Sequence, residues 1–231
     1  MTASQTRDAR DDKRFVFHAT PVRRVAVAIL RAAFGPIMRM EVEGRHHVPA
    51  EGPVILAANH VTNLDVFPMQ FSLSRPIFFM GKAELFRFAP MDWILRELGG
   101  FPVYRGERDE WAMRHARCVL ENGQVLGMFP EGTRSKGRGL GPARPGTARL
   151  AIDAGSPIVP LAVLGSSHFF RRFPQRTRVR LRYLPMLVPE PSDTPQELTD
   201  RLMRTLAAAL PAGMGGIYAG AGAGLTSPSA R

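Results

Sequence analysis

Apolar positions along this chain fall into two kinds of block, short continuous runs and longer stretches with helical spacing. Apolar runs of about four to eight residues bounded by turn residues read as buried strands, and apolar positions three and four apart read as amphipathic helices. Strands are therefore expected at 38–42, 53–58, 76–80, 101–104, 124–129, 157–164 and 178–184, the last with arginines alternating on one face. Helices are expected at 22–40, 63–73, 83–98 with a break near Pro90, 107–121, 147–153 and 194–210. Boundary residues support several of these. Thr20-Pro21 reads as a cap followed by proline at the first helical position, Asn122-Gly123 and Gly155 as stops, and Asp193 or Thr194 as a cap ahead of Pro195. Alternation of strands and helices implies one α/β body, a mainly parallel sheet covered by helices.

The ends have a different texture. Residues 1–14 are polar, mix acids with bases and lack the apolar stretch of a secretory signal, so a disordered tail is expected there. The Gly/Ala-rich stretch 211–231 lacks core-forming content and is expected to be a second disordered tail. The 22–40 stretch is apolar except for Arg23, Arg24, Arg31 and Arg39. A spanning helix needs about 20 mostly apolar residues, and here Arg31 interrupts the run and Gly35-Pro36 breaks it. Such a helix either lies in the headgroup boundary of a membrane or packs on the protein's own core, and the pattern leaves both open.

Length and composition, 231 residues with 45% hydrophobic content, fit a single sizeable core. Charge changes the picture more: 31 basic against 20 acidic residues give +11, and with only Lys13, Lys82 and Lys136 as lysines the excess is arginine. That favours an anionic partner, whether membrane surface, phosphorylated substrate or nucleic acid. A lone cysteine, Cys118, excludes an intramolecular disulfide and any multi-cysteine metal site, and is expected in a core. The six histidines show no paired ligand spacing, so no metal is expected.

Two segments carry candidate chemistry. Asn59-His60-Val61-Thr62-Asn63-Leu64-Asp65 follows the apolar run 53–58. A strand ending there would present His60 at a sheet edge, where a neutral imidazole can take a proton from an alcohol and Asp65 can hold its tautomer. Side chains five apart do not meet along a regular helix, so the pair requires His60 to precede the helix, with Thr62 or Asn63 as its cap. The second segment, Phe129-Pro130-Glu131-Gly132-Thr133-Arg134-Ser135, stands where a strand gives way to a loop. Its glycine permits close backbone approach, Thr133 can donate a hydrogen bond, Arg134 presents a fork suited to phosphate, and Glu131 could orient that arginine or a substrate hydroxyl. A Walker loop is excluded, because Arg138-Gly139 occupies the place of Lys-Ser/Thr after Gly132 and Gly137.

Taken in order, four strings resemble the glycerolipid acyltransferase family typified by PlsC-like 1-acyl-sn-glycerol-3-phosphate acyltransferases. They are Asn59-His60 with Asp65, Gly100 to Arg105, Phe129 to Ser135, and Ile158-Val159-Pro160-Leu161, supported by the runs Gly52 to Ile55 and Gly81 to Leu85. The resemblance implies a glycerol-3-phosphate acyltransferase-like fold, with a membrane-associating helical segment at 15–40 and an acyltransferase domain at 41–210. It implies His60 as general base and Asp65 as its orienting partner. The acceptor would be gripped by Asn59, Lys82, Arg105, Glu131, Gly132, Thr133 and Arg134. It also implies a lysophospholipid acceptor, an acyl-CoA or acyl carrier protein thioester as co-substrate, no cofactor, and a place at the anionic cytoplasmic face of the cell membrane. Another lysolipid acceptor is the near alternative, and a noncatalytic membrane-binding protein a further one. Nucleic-acid binding ranks last, since the arginines are dispersed and no recognition string appears. The run His168 to Phe173 mixes aromatic and basic residues, and reads either as a docking loop or as a loop packing its phenylalanines inward.

Overall fold

The computed structural model describes residues 8–104, 109–169 and 175–220. Seven strands form one sheet in the order β1-β7-β6-β2-β5-β3-β4, with β1 Met38–Glu43, β2 Val54–Ala58, β3 Ile77–Lys82, β4 Gly100–Val103, β5 Val125–Met128, β6 Ile158–Leu164 and β7 Thr177–Tyr183. Strands β2 to β6 run parallel, while β7 is antiparallel to β6 and parallel to β1, so the sheet is mixed and mainly parallel. All five residues of the central strand β2 are buried. That is what a strand covered on both faces requires, and it explains the continuous apolar run in place of alternation. One strand in from the edge, β7 alternates instead, turning Val179, Leu181 and Tyr183 inward and Arg178, Arg180 and Arg182 outward.

Among the described residues six α-helices cover the sheet: α1 Pro21–Phe34, α2 Val66–Ser72, α3 Ala89–Glu97, α4 Glu110–Glu121, α5 Gly146–Ala154 and α6 Pro195–Ala209. On one face Ile55, Ala57 and Leu126 pack with Val119 and Leu120 of α4, Ala148 and Leu150 of α5, and Leu198 and Leu202 of α6. The other face of β2, Val54, Leu56 and Ala58, packs with Met69 of α2. Val27, Leu30 and Phe34 of α1 close that side against Phe67, Phe71 and Val179.

Local chemistry accounts for the boundaries. Thr20 caps α1 by accepting from the Arg23 N–H, and α6 opens with a reciprocal capping box between Thr194 and Glu197. Left-handed Gly155, at φ 58°, ends α5. Four expected helices lose more than one residue at an end. The 22–40 helix stops at Phe34 because Gly35-Pro36 turns the chain into β1. The 83–98 helix divides into a 3-10 turn, Ala83–Phe86, and α3, with Pro90 starting the second piece as its early-turn position allows. Helix α4 begins at Glu110, with Asp109 as cap. Helix α2 begins only at Val66, for a reason that belongs to the site below.

The tails need correction. Residues 8–14 are packed: Ala9–Asp12 forms a 3-10 turn, and Arg10 reaches across to Asp109 at 2.6 Å. Residues 211–220 pack as well, with the Leu140 N–H donating to Met214 O at 3.0 Å and the Ala143 N–H to the Tyr218 hydroxyl at 3.2 Å. Residues 1–7 and 221–231 lie outside the described residues. Cys118 is half-buried on α4 rather than in the core. No helix among the described residues is long and apolar enough to cross a membrane.

Candidate active site

Strands β2 and β5 are neighbours in parallel register, Ala57 opposite Met128, so the loops that follow them emerge side by side at one edge of the sheet. His60 follows β2 and Phe129 follows β5, and their rings stack with centroids 3.9 Å apart and an interplanar angle of 18°. His60 Nδ1 lies 2.9 Å from Asp65 Oδ2. The same oxygen accepts the Val61 N–H at 2.7 Å and the Thr62 N–H at 2.9 Å, and Oδ1 accepts the Thr62 hydroxyl at 3.1 Å. Asp65 is fully buried. With these donors converging on its carboxylate, the chain between 61 and 65 is held as a turn, which delays α2 to Val66 and displaces the cap expected at Thr62 or Asn63. Because Nδ1 faces an acceptor it carries the proton, which leaves Nε2 with the lone pair. Nε2 makes no hydrogen bond among the described residues.

The second loop clamps the first through backbone groups. Glu131 Oε1 accepts the His60 N–H at 2.9 Å and Oε2 accepts the Gly141 N–H at 3.0 Å, while the Ser135 N–H donates to His60 O at 2.8 Å. Burial pushes the Glu131 carboxyl above its ordinary value, and the N–H donors from His60 and Gly141 pull the other way. Both Glu131 oxygens thus accept main-chain N–H groups, and among the described residues neither bonds Arg134. Gly132 follows at φ 64°, a left-handed conformation that lets the chain reverse, and Thr133 and Arg134 stand exposed beyond it. Arg134 immediately precedes the residue bonded to the His60 carbonyl. An exposed guanidinium therefore stands beside the imidazole loop.

Other expected ligands fare differently. The Asn59 side chain is committed to β6, donating to Val163 O at 2.9 Å and accepting the Val163 N–H at 2.7 Å. It extends the β2–β6 pairing past Ala58. Lys82 ends β3, two positions from β2 in the sheet order, and pairs with Glu84 at 3.0 Å. Among the described residues no bond joins it to His60, Asp65 or the 131–135 loop. Arg105 lies outside the described residues, though β4 brings the chain to the same sheet edge, with Val103 opposite Lys82. In the His168 to Phe173 run, Phe169 is buried edge-on to Phe34, with centroids 6.0 Å apart, which favours the inward reading at that position; residues 170–174 lie outside the described residues. Sequence reasoning missed the Gly141 and Ser135 amides and Val163, since backbone partners leave no signature in side-chain types.

The Acyltransferase family profile matches residues 39–164, the span that carries the buried His60–Asp65 pair at the carboxyl edge of the sheet and the arginine loop beside it. The chain belongs to that family. Among its relatives, the 1-acyl-sn-glycerol-3-phosphate acyltransferase of Haemophilus influenzae is 31% identical over 152 residues, covering 62% of each chain. The alpha enzyme of that name from Mus musculus is 29% identical over 178 residues, 72% of this chain and 62% of the relative. A chloroplastic enzyme of that name from Brassica napus is 28% identical over 134 residues, 57% of this chain and 39% of the relative. The chain thus spans about two fifths of the length of the relatives it matches from Brassica napus, Arabidopsis thaliana and Chlamydomonas reinhardtii. The 1-acyl-sn-glycerophosphate acyltransferase PlsC from Thermotoga maritima shares the fold, with TM-score 0.67 at 24% identity over 81% of this chain and 79% of that one.

Proposed function

We propose that this protein transfers a fatty acyl group from a thioester, acyl-CoA or acyl carrier protein, to the free hydroxyl of 1-acyl-sn-glycerol 3-phosphate, giving phosphatidic acid. The observation that carries the reading is the 2.9 Å contact between His60 Nδ1 and the buried Asp65 carboxylate, which leaves Nε2 as a base. Nε2 takes the hydroxyl proton as the alcohol oxygen attacks the thioester carbonyl. Collapse of the tetrahedral oxyanion expels thiolate, and the imidazolium returns the proton to it, so no acyl-enzyme is needed. Asp65 stabilises the imidazolium between these steps. The exposed Thr133 and Arg134, with the Gly132 backbone, receive the acceptor's phosphate, assisted by Arg105 and Lys82.

The acceptor is a lipid, so the site works at a membrane, and we assign the protein peripherally to the anionic cytoplasmic face. Helix α1 supports this reading. Its inner side packs through Val27, Leu30 and Phe34, while Val22, Val25 and Ile29 form an exposed apolar stripe with Arg24 and Arg31 also exposed. The inward packing is the second of the two sequence readings of that helix, and the exposed stripe supports the first.

His60→Ala tests the chemistry. Thioester consumption with lysophosphatidic acid should fall by about a hundredfold to ten-thousandfold, the worth of a general base, with fold and vesicle binding retained. A variant as active as the parent would remove His60 from the mechanism. Parent turnover of a neutral lysolipid with none of lysophosphatidic acid would overturn the acceptor.

A further inference from the structure

Helix α3 is built inside out. Its polar residues face the protein: Asp92 is buried and pairs with Arg96 at 2.9 Å and Lys13 at 3.5 Å, and Arg96 also donates to Arg14 O at 2.8 Å. The large apolar residues on it and at its cap face away, with the cap Phe88 68% and Trp93 51% exposed and Met91 and Ile94 exposed as well. A globular helix normally does the reverse. Contiguous exposed apolar side chains on a soluble surface mark a place that something covers.

We propose that the outward face of α3 inserts into the interface of an anionic lipid bilayer, as a second contact beside α1. Trp settles at headgroup level and Phe buries at the acyl boundary beneath it, and exposed Arg87, next to Phe88, joins Arg24 and Arg31 of α1 in a basic rim complementary to anionic headgroups. The two helices adjoin: the Thr20 hydroxyl, at the start of α1, donates to Glu97 at the end of α3 at 2.8 Å. Placement fits as well. The segment leading to α3 leaves β3 at the sheet edge where the chain also leaves β2 for His60 and β5 for Arg134, so a lysolipid can approach the base from a bilayer that α3 touches. The inference extends, and rests on, the membrane assignment of the proposed function, but needs nothing of its acyl chemistry.

The chain has two tryptophans, exposed Trp93 and buried Trp111, so Trp93 reports on its own insertion. Adding vesicles of phosphatidylcholine with phosphatidylglycerol should move the full-length protein's emission to shorter wavelength, and brominated lipid should quench it. Trp93→Phe should show neither effect. Phe88→Asp with Trp93→Asp, both on exposed positions that leave the core intact, should lower vesicle partitioning at least tenfold. Turnover of a short-chain acceptor dispersed as monomers should stay within twofold. Pelleting with vesicles without a change in Trp93 emission overturns the proposal. So does a shift produced by an acidic acyl carrier protein and not by vesicles, or a double variant that loses monomeric turnover equally. Insertion of Trp93 in a protein that consumes no thioester would leave the docking surface standing and sink the acyl-transfer reading alone.

Discussion

One carboxylate of Glu131 holds two backbone N–H groups, those of His60 and Gly141, and through the first it sets where the imidazole stands. Glu131→Gln keeps the shape but offers only one acceptor oxygen, so one buried N–H loses its partner at a cost of about 1–3 kcal/mol. Under the proposed mechanism we expect kcat to fall with the KM for the acceptor little changed, because the side chain bonds the backbone of His60. Stability should respond to pH in a definite sense. Burial raises the folded carboxyl above its ordinary 4.5, so the folded state binds the proton more tightly than the unfolded chain. Glu131's contribution therefore declines as pH climbs from the ordinary glutamate range through the raised folded value, then levels off. Subtracting denaturation curves of Glu131→Gln from those of the parent across that window should recover this slope, and a flat difference would contradict it. Here the limits of sequence reading show plainly. The His60–Asp65 spacing and the Arg134 loop were legible because their side chains carry the signal. Glu131 and Asn59 were legible as polar residues in motifs, but their partners are main-chain groups brought near by the sheet, and those leave no trace in composition or spacing.

Among the elements, the N-terminal segment gains most from the structure. Arg10 pairs with Asp109, the cap of α4, its guanidinium lies 4.4 Å from the Trp111 ring centroid, and Trp111 Nε1 donates to Asp11 at 2.6 Å. Phe15 packs edge-on to His115 with centroids 4.4 Å apart, and Trp111 stacks on the same imidazole at 4.9 Å. Read as polar sequence, this segment has no period and no run; its order comes from pairs a hundred residues apart, which local patterning cannot see. His115 is the consequence with a measurable sign. Burial, and secondarily the Arg10 charge, depress it from 6.5 to about 4, with Asp11 opposing. Folding thus prefers the neutral ring, and between the two values the unfolded chain binds more protons, so stability is present above 6.5 and lost as pH falls toward 4. At about 1.4 kcal/mol per unit, the loss is at most roughly 3 kcal/mol, less whatever solvent screening removes. Urea midpoints at pH 7 and pH 4.5 should therefore differ less in His115→Phe than in the parent. Equal acid sensitivity in both would place the titrating group elsewhere.

On the scale of the whole molecule the arginine excess organises how chemistry and location fit together. Composition alone points to an anionic partner without choosing one; Arg24, Arg31 and Arg87 stand around exposed apolar side chains of α1 and the approach to α3, where the proposed bilayer contact needs them. A basic side chain near an anionic bilayer is worth about 1 kcal/mol, so these three together amount to about 3 kcal/mol, or roughly a hundredfold in partitioning. That attraction falls off over the Debye length, which shortens from about 8 Å at 0.15 M salt to about 3 Å at 1 M. Burial of apolar side chains does not weaken with salt in this way. Partitioning onto anionic vesicles should therefore drop steeply, approaching that hundredfold, as salt is raised to 1 M, while the weaker binding to uncharged vesicles should hold or strengthen. Arg24→Gln with Arg31→Gln should remove about 2 kcal/mol of the electrostatic part, roughly thirtyfold at low salt, and flatten the salt dependence in proportion. Parallel salt curves for parent and double variant would show that the outward arginines of α1 never meet the headgroups, and that the charge of the chain serves the phosphate of the acceptor instead.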